Sequence, residues 1–322
     1  MARQYRHIPR IGLIEENRRF PASMFESIDR HALSAPAEAE SNIPTLASYL
    51  ALGADCELAK ARAAWRWITA RIAYDTRRQN YSAEATLRDR RGTCQGYAEL
   101  FVQLVAALGL EAVEITGFGK GLDYRPGERV RNNHAWNAVR IDGKWYLLDC
   151  TYGAGFVRGN DFISHYREHY FCTPPNEFIY SNLPALRRWQ LLANTVSKIT
   201  FERLPFYRYG YFQYGLRQIG DDASCVIKCN GEAVLTFEAP PHVMLTSRIK
   251  TKDGTTIAVP LVTRKGRIIT LRAHFPKQGD YYLVGWASDA GKAAKYAWAF
   301  TYLVQVQKTD DRKETRKETE EH

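Results

Sequence analysis

The hydrophobic pattern of this chain changes period once, near residue 110, and that change limits the folds open to it. Before it, apolar residues recur at helical spacing: Leu46 to Leu52, then Cys56 to Ile72 behind Asp55 as a candidate N-cap, with Leu58, Ala61, Trp65 and Ile68 on one face. This long helix is expected to bury its Trp65 side. A third helix is predicted after Gly92, capped by Thr93 and stopping at Gly109. From Glu111 the runs shorten and alternate: Ala112 to Phe118, His134 to Ile141 and Lys144 to Thr151. Helices followed by strands in this order predict an α+β domain. A mixed stretch through Pro174, Pro175 and Trp189 follows. Beyond it, strand-like runs around Tyr211, Cys225, Val234, Val243, Ile257, Ile268, Tyr282 and Ala299 alternate with turn signals at Asn230-Gly231, Asp253-Gly254 and Lys265-Gly266. That spacing predicts a second, all-β sandwich domain.

A chain of 322 residues has room for both, each with its own core. The expected division is an N-terminal arm without assigned fold over 1–35, a catalytic domain over 36–204, the sandwich over 205–307 and a charged tail over 308–322. The net charge of +10 is spread along the chain rather than gathered into a stripe, and no nucleic-acid motif accompanies it. It reads as solubility, not as a specific nucleic-acid partner. No run reaches the roughly 18 apolar residues of a membrane span, and Met1 to Arg10 lacks the apolar core of a secretory signal, so the cytoplasm is the expected compartment. Signal-free export stays open. Six scattered cysteines do not make a disulfide framework, and reduced thiols are expected. Cys225 and Cys229 have no second ligand pair nearby, so neither a metal nor another cofactor is expected. Oligomeric state leaves no signal.

Cys94 falls in the first turn of the helix that Thr93 caps, where unpaired backbone N–H groups and the positive end of the helix dipole favour a thiolate. Ala98, Phe101, Val105 and Leu108 share its face, which aims the thiol at whatever that helix packs against. Ile141-Asp142-Gly143-Lys144 is a two-residue hairpin signal between alternating runs. With Ile141 opposite Lys144, Trp136 faces Asp149 and His134 faces Thr151, so His134 and Asp149 lie diagonally on one face. A diagonal Cβ separation of roughly 7 Å lets a carboxylate reach an imidazole N–H. Taken singly, such a Cys is a small buried hydrophobe and such a His a satisfied polar residue. Together they supply a thiol, a base, and a carboxylate to hold the base's tautomer, which is what nucleophilic acyl transfer needs. Cys150 points to the opposite face and reads as core.

Gly92-Thr93-Cys94-Gln95-Gly96-Tyr97-Ala98, His134-Ala135-Trp136-Asn137 and Trp145-Tyr146-Leu147-Leu148-Asp149-Cys150-Thr151 together resemble the transglutaminase-like superfamily, and most of all its kyphoscoliosis-peptidase branch. The resemblance runs from Phe25 to Pro205 and implies a papain-like core. In such a core a central helix bearing Cys94 packs on an antiparallel sheet bearing His134 and Asp149, and an Ig-like sandwich commonly follows it. It implies a cysteine peptidase, amidase or transamidase acting on a protein or peptide through a thioester. Animal transglutaminases carry Gln before the Cys and Trp after it. Thr93 and Gln95 stand there instead, a departure from the crosslinking pattern. Gln79, Asn80 and Tyr81 are the candidate oxyanion donors beside the Cys94 N–H, and Gln95 and Trp136 are further candidates for substrate contact. The competing class is an interaction scaffold that uses the same two domains for binding.

Overall fold

The computed structural model describes residues 20–77, 79, 81–121, 123–220, 224–291 and 296–307. They form two compact units, one running to Tyr124 and resuming over Arg129–Phe201, the other made of Arg125–Glu128 and the chain from Glu202 onward.

In the first unit, α1 (Glu26–Leu33) follows a 3-10 turn at Ala22–Phe25. The reading of 1–35 as an unassigned arm therefore does not hold from Phe20. Phe25 and Ala32 are buried and Phe20 and Ile28 pack against the same core. Their spacing is helical, but the run is too short and too charged to show a sustained period. Residues 1–19 and the 308–322 tail lie outside the described residues. Helix α2 (Ile43–Leu52) starts at Asn42, whose side chain accepts from the Thr45 N–H at 2.9 Å, with Pro44 pre-set in the first turn. Helix α3 (Glu57–Arg71) has Cys56, not Asp55, at its N-cap. Trp65 is buried as expected, and so are Arg62, Trp67 and Ile68, because this helix is wrapped on several sides rather than one.

A parallel pair, β1 (Ala73–Tyr74) and β2 (Arg91–Gly92), brackets α4 (Ala83–Asp89) and sets Gly92 just ahead of α5 (Cys94–Ala107). The antiparallel sheet is ordered β5-β4-β3-β8, from β3 (Ala112–Gly119), β4 (Asn132–Ile141), β5 (Lys144–Leu148) and β8 (Asn182–Pro184). Ile141 pairs with Lys144 and Asn137 with Leu148, the register the hairpin signal requires, and Asp142 and Gly143 both take positive φ. Beyond Leu148 the expected strand ends. Cys150–Ala154 is a short helix, α6, with Asp149 at its N-cap. Asn137 joins helix to sheet, donating to the Ala98 carbonyl of α5 at 3.0 Å. The stretch after α6 holds a hairpin of β6 (Gly155–Arg158) and β7 (Asp161–Ser164).

The second unit contains β9 (Phe206–Tyr207), β10 (Arg217–Ile219), β11 (Val226–Cys229), β12 (Glu232–Glu238), β13 (Val243–Lys250), β14 (Thr256–Ala258), β15 (Leu261–Lys265), β16 (Ile268–His274), β17 (Gly279–Asp289) and β18 (Ala297–Val306). One sheet runs β10-β12-β16-β15 and the other β11-β18-β17-β13-β14, with β9 also on β18. Phe237 of the first stacks on Phe300 of the second at 5.1 Å, part of a core closed by alternating inward side chains. The Gly266 turn closes a true hairpin, with Lys265 opposite Ile268. The Asn230-Gly231 turn instead carries the chain from one sheet to the other, since β11 and β12 belong to different sheets.

Candidate active site

Thr93 caps α5 as its sequence requires, its Oγ1 accepting from the Gly96 N–H at 3.3 Å. Cys94 thus begins the helix, where the first N–H groups lack intrahelical partners. Its Sγ lies 3.9 Å from the Asn133 carbonyl oxygen and receives the Ala135 backbone N–H. The β3–β4 pairing slips here: Gly117 faces His134 while Phe118 faces Asn132, leaving Asn133 as an extra residue. A bulge of this kind re-aims the side chain beside it. From His134 to Val139 the pairing is regular, so the alternation expected for this strand holds at His134 and breaks only at Asn133 before it.

The His134 Nε2 is 2.6 Å from Asp149 Oδ2. With Nε2 so engaged, Nδ1 is the nitrogen that meets the Cys94 thiol. The carboxylate reaches the imidazole from a helix cap rather than from a strand position. Its Oδ1 accepts the Tyr152 N–H at 2.8 Å, its Oδ2 also accepts Asn182 Nδ2 at 3.0 Å, and its own N–H donates to the Tyr170 carbonyl at 2.9 Å. The Tyr152 ring stacks on the imidazole with centroids 4.2 Å apart. Gly119 makes room for this stack, since a Cβ there would meet the Tyr152 hydroxyl at 2.6 Å and His134 Cβ at 2.9 Å.

Burial opposes charge on both members of the Cys94–His134 pair, and their surroundings outweigh it. For His134, desolvation pulls the pKa down, but the Asp149 charge and hydrogen bond, with help from Cys94, push it up to about 10. For Cys94, desolvation pushes upward, while the His134 hydrogen bond and charge and the Ala135 N–H bring the thiol below its ordinary value despite Asp149. Both shifts favour a thiolate–imidazolium pair.

The other sequence candidates divide by burial. Gln79 and Tyr81 are exposed on the loop ahead of α4, and Gln95 is exposed in the first turn of α5. The Gln79 backbone N–H is held by the buried Asp75 carboxylate at 2.6 Å. Asn80 lies outside the described residues. Trp136 is 1% exposed, with its ring 5.7 Å from that of His134 and 6.1 Å from that of Phe178. It supports the imidazole from within and offers substrate no surface. Asn182 and Tyr152 escaped the sequence reading. A three-residue strand carries no period that would flag Asn182, and Tyr152 sat just past what read as the end of a strand.

Comparison with known proteins accords with this fold. Residues 44–150 match the transglutaminase-like superfamily, and residues 199–315 a KY-like, immunoglobulin-like domain. The chain carries a transglutaminase-like core. It is 29% identical over 299 residues to kyphoscoliosis peptidase of Mus musculus and 30% over 298 residues to that of Homo sapiens, in each case covering 89% of this chain and 44% of the relative. A third relative, the Lim and transglutaminase domain protein ltd-1 of Caenorhabditis elegans, is 33% identical over 239 residues, 67% of this chain and 33% of that one. The chain thus spans less than half the length of the kyphoscoliosis peptidases it matches. In this transglutaminase-like core, the match ends at Cys150, so it takes in Cys94, His134 and Asp149 but not Tyr152 or Asn182. No described helix is long and apolar enough to cross a membrane.

Proposed function

We propose that the chain is a cysteine-dependent acyl-transfer enzyme acting on an amide bond of a protein or peptide. The observation that carries this reading is the convergence of a partly exposed Cys94 with buried His134 and Asp149, the His134–Asp149 contact being 2.6 Å. The Cys94 thiolate attacks the amide carbonyl. The oxyanion forms against the Cys94 N–H at the start of α5 and one further donor, for which the Gln79–Tyr81 loop supplies the candidates. His134 gives its proton to the departing amine, and a thioester remains on Cys94. A water or a second amine, deprotonated by His134, then attacks the thioester and releases the acyl group. Asp149 holds the imidazole's tautomer and offsets its charge throughout. Similarity to kyphoscoliosis peptidases favours water as the acceptor, and with it peptidase or amidase activity. Mass spectrometry of Cys94 after exposure of the protein to cell lysate tests this. An acyl adduct on Cys94 identifies the donor, and an unmodified Cys94 under conditions that trap thioesters rejects the mechanism.

A further inference from the structure

The proposed mechanism makes two demands on His134 that pull against each other. It must be cationic to hold the thiolate, and it must surrender its proton to the leaving amine. Asp149 serves the first demand. Its carboxylate has no exposure to solvent, so its charge is felt at nearly full strength by the imidazole beside it. Something must offset that charge, and the structure supplies a donor in Asn182.

Asn182 is itself buried and stands on β8, where Gly119 of β3 is its pairing partner. Its Nδ2 donates to Asp149 Oδ2 at 3.0 Å, the same oxygen that takes His134 Nε2. The amide's orientation is fixed by the acceptor-only carboxylate it faces, and the Ser181 hydroxyl is compatible with it. Ser181 Oγ donates to Asn182 Oδ1, and the flipped amide would set two acceptor oxygens against each other at the Asp149 contact. The backbone N–H of Tyr152 on Oδ1 completes the set, so three donors converge on one carboxylate. Neither Ser181 nor Asn182 lies within the residues that match the superfamily.

We propose that Asn182 is a positioning residue that occupies part of the Asp149 oxygen otherwise devoted to His134, and so limits how tightly the imidazole keeps its proton. The inference rests on the reading of Cys94 as nucleophile, but its own readout is the ionisation of His134. A hydrogen-bond donor on a carboxylate stabilises the anion and weakens its pull on a neighbouring cation. Removing the donor while Asp149 stays ionised beside the imidazolium strengthens that pull.

The test is Asn182→Leu, which keeps the side chain's shape and removes its donor. Two quantities are measured: the His134 imidazole titration by nitrogen NMR in histidine-labelled protein, assigned with His134→Ala, and the pH dependence of Cys94 alkylation by iodoacetamide. The expected result is a His134 titration moved to higher pH. The acid limb of alkylation moves lower by about one pH unit, making Cys94 about tenfold more reactive below that limb. An unmoved titration would make Asn182 a packing residue, and a downward move would mean it sustains the imidazolium; either overturns the proposal. Should the Leu variant unfold, Asn182→Ala removes the same donor with a smaller side chain, and shifts in the same directions are expected. If wild-type Cys94 shows no acid limb below the ordinary thiol range, the nucleophile reading fails, while the Asn182 effect on His134 is still read by NMR.

Discussion

Six thiols share this chain, and their surroundings rank them. Burial pushes the Cys150 and Cys172 thiols well up, and Cys229 is raised by the same cause. Cys56 is exposed at the N-cap of α3, contrary to its expected place inside that helix, and Cys94 alone is shifted downward. One equivalent of iodoacetamide near neutral pH should therefore modify Cys94 first and Cys56 next, with Cys150 and Cys172 protected until the protein unfolds. Peptide mapping that finds Cys56 first would reject the thiolate assignment. The same shifts fix the sign of the pH dependence. Reactivity rises on an acid limb below the reference thiol value of about 8.5, as the thiolate forms against a charged imidazole. The imidazolium is lost as pH rises toward the His134 value of about 10. In His134→Ala the acid limb should return toward the reference value, which a stopped-flow alkylation profile reads directly. Cys94→Ala removes the nucleophile, and turnover should fall to background while the thermal unfolding midpoint stays close to wild type.

At the scale of the element, local chemistry was legible where two neighbours decide the structure and illegible where distant partners do. Asp142-Gly143 takes the turn its residues favour, Thr93 caps its helix, and Gly109 stops it with a φ of +80°. By contrast, Cys150 and Thr151 continue the alternation of β5 in sequence, yet the strand yields to α6 because Asp149 caps the Tyr152 N–H. Nothing local marks Asn133 as an extra residue either, since a bulge shows only once the partner strand is known. Two substitutions test these elements. Thr93→Ala should destabilise the fold by about 1 kcal/mol, the usual loss for a cap, read from the denaturant midpoint at constant slope. Gly119→Ala should displace the Tyr152–His134 stack and slow Cys94 alkylation, with the rate relative to wild type as the measure.

Across the molecule, the farthest-reaching device in the first unit is Arg62, which no sequence pattern announced because an arginine on an apolar helix face reads as an interruption. Its guanidinium bonds both oxygens of Asp29 on α1 at 2.6 Å and reaches Glu168 and Tyr166 beyond β7, while lying 4.5 Å from the Phe25 ring centroid. Arg62→Ala takes the cation from Glu168, leaves Asp29 with only Arg66 at 3.5 Å, and should destabilise the protein by about 3 kcal/mol, measured by chemical unfolding. Glu168 stands two residues before Tyr170, whose carbonyl receives the Asp149 N–H, so this network ends at the proposed site. Asp149 is where fold and chemistry become hard to separate: one oxygen ends a strand and opens a helix, and the other steadies a base. Cys94 carries no such double duty. A descendant that abandoned the chemistry would shed the thiol at little penalty and keep the carboxylate for the sake of the chain's path. Among natural variants of this core, then, an intact Asp149 says little about activity, and the residue at position 94 says most.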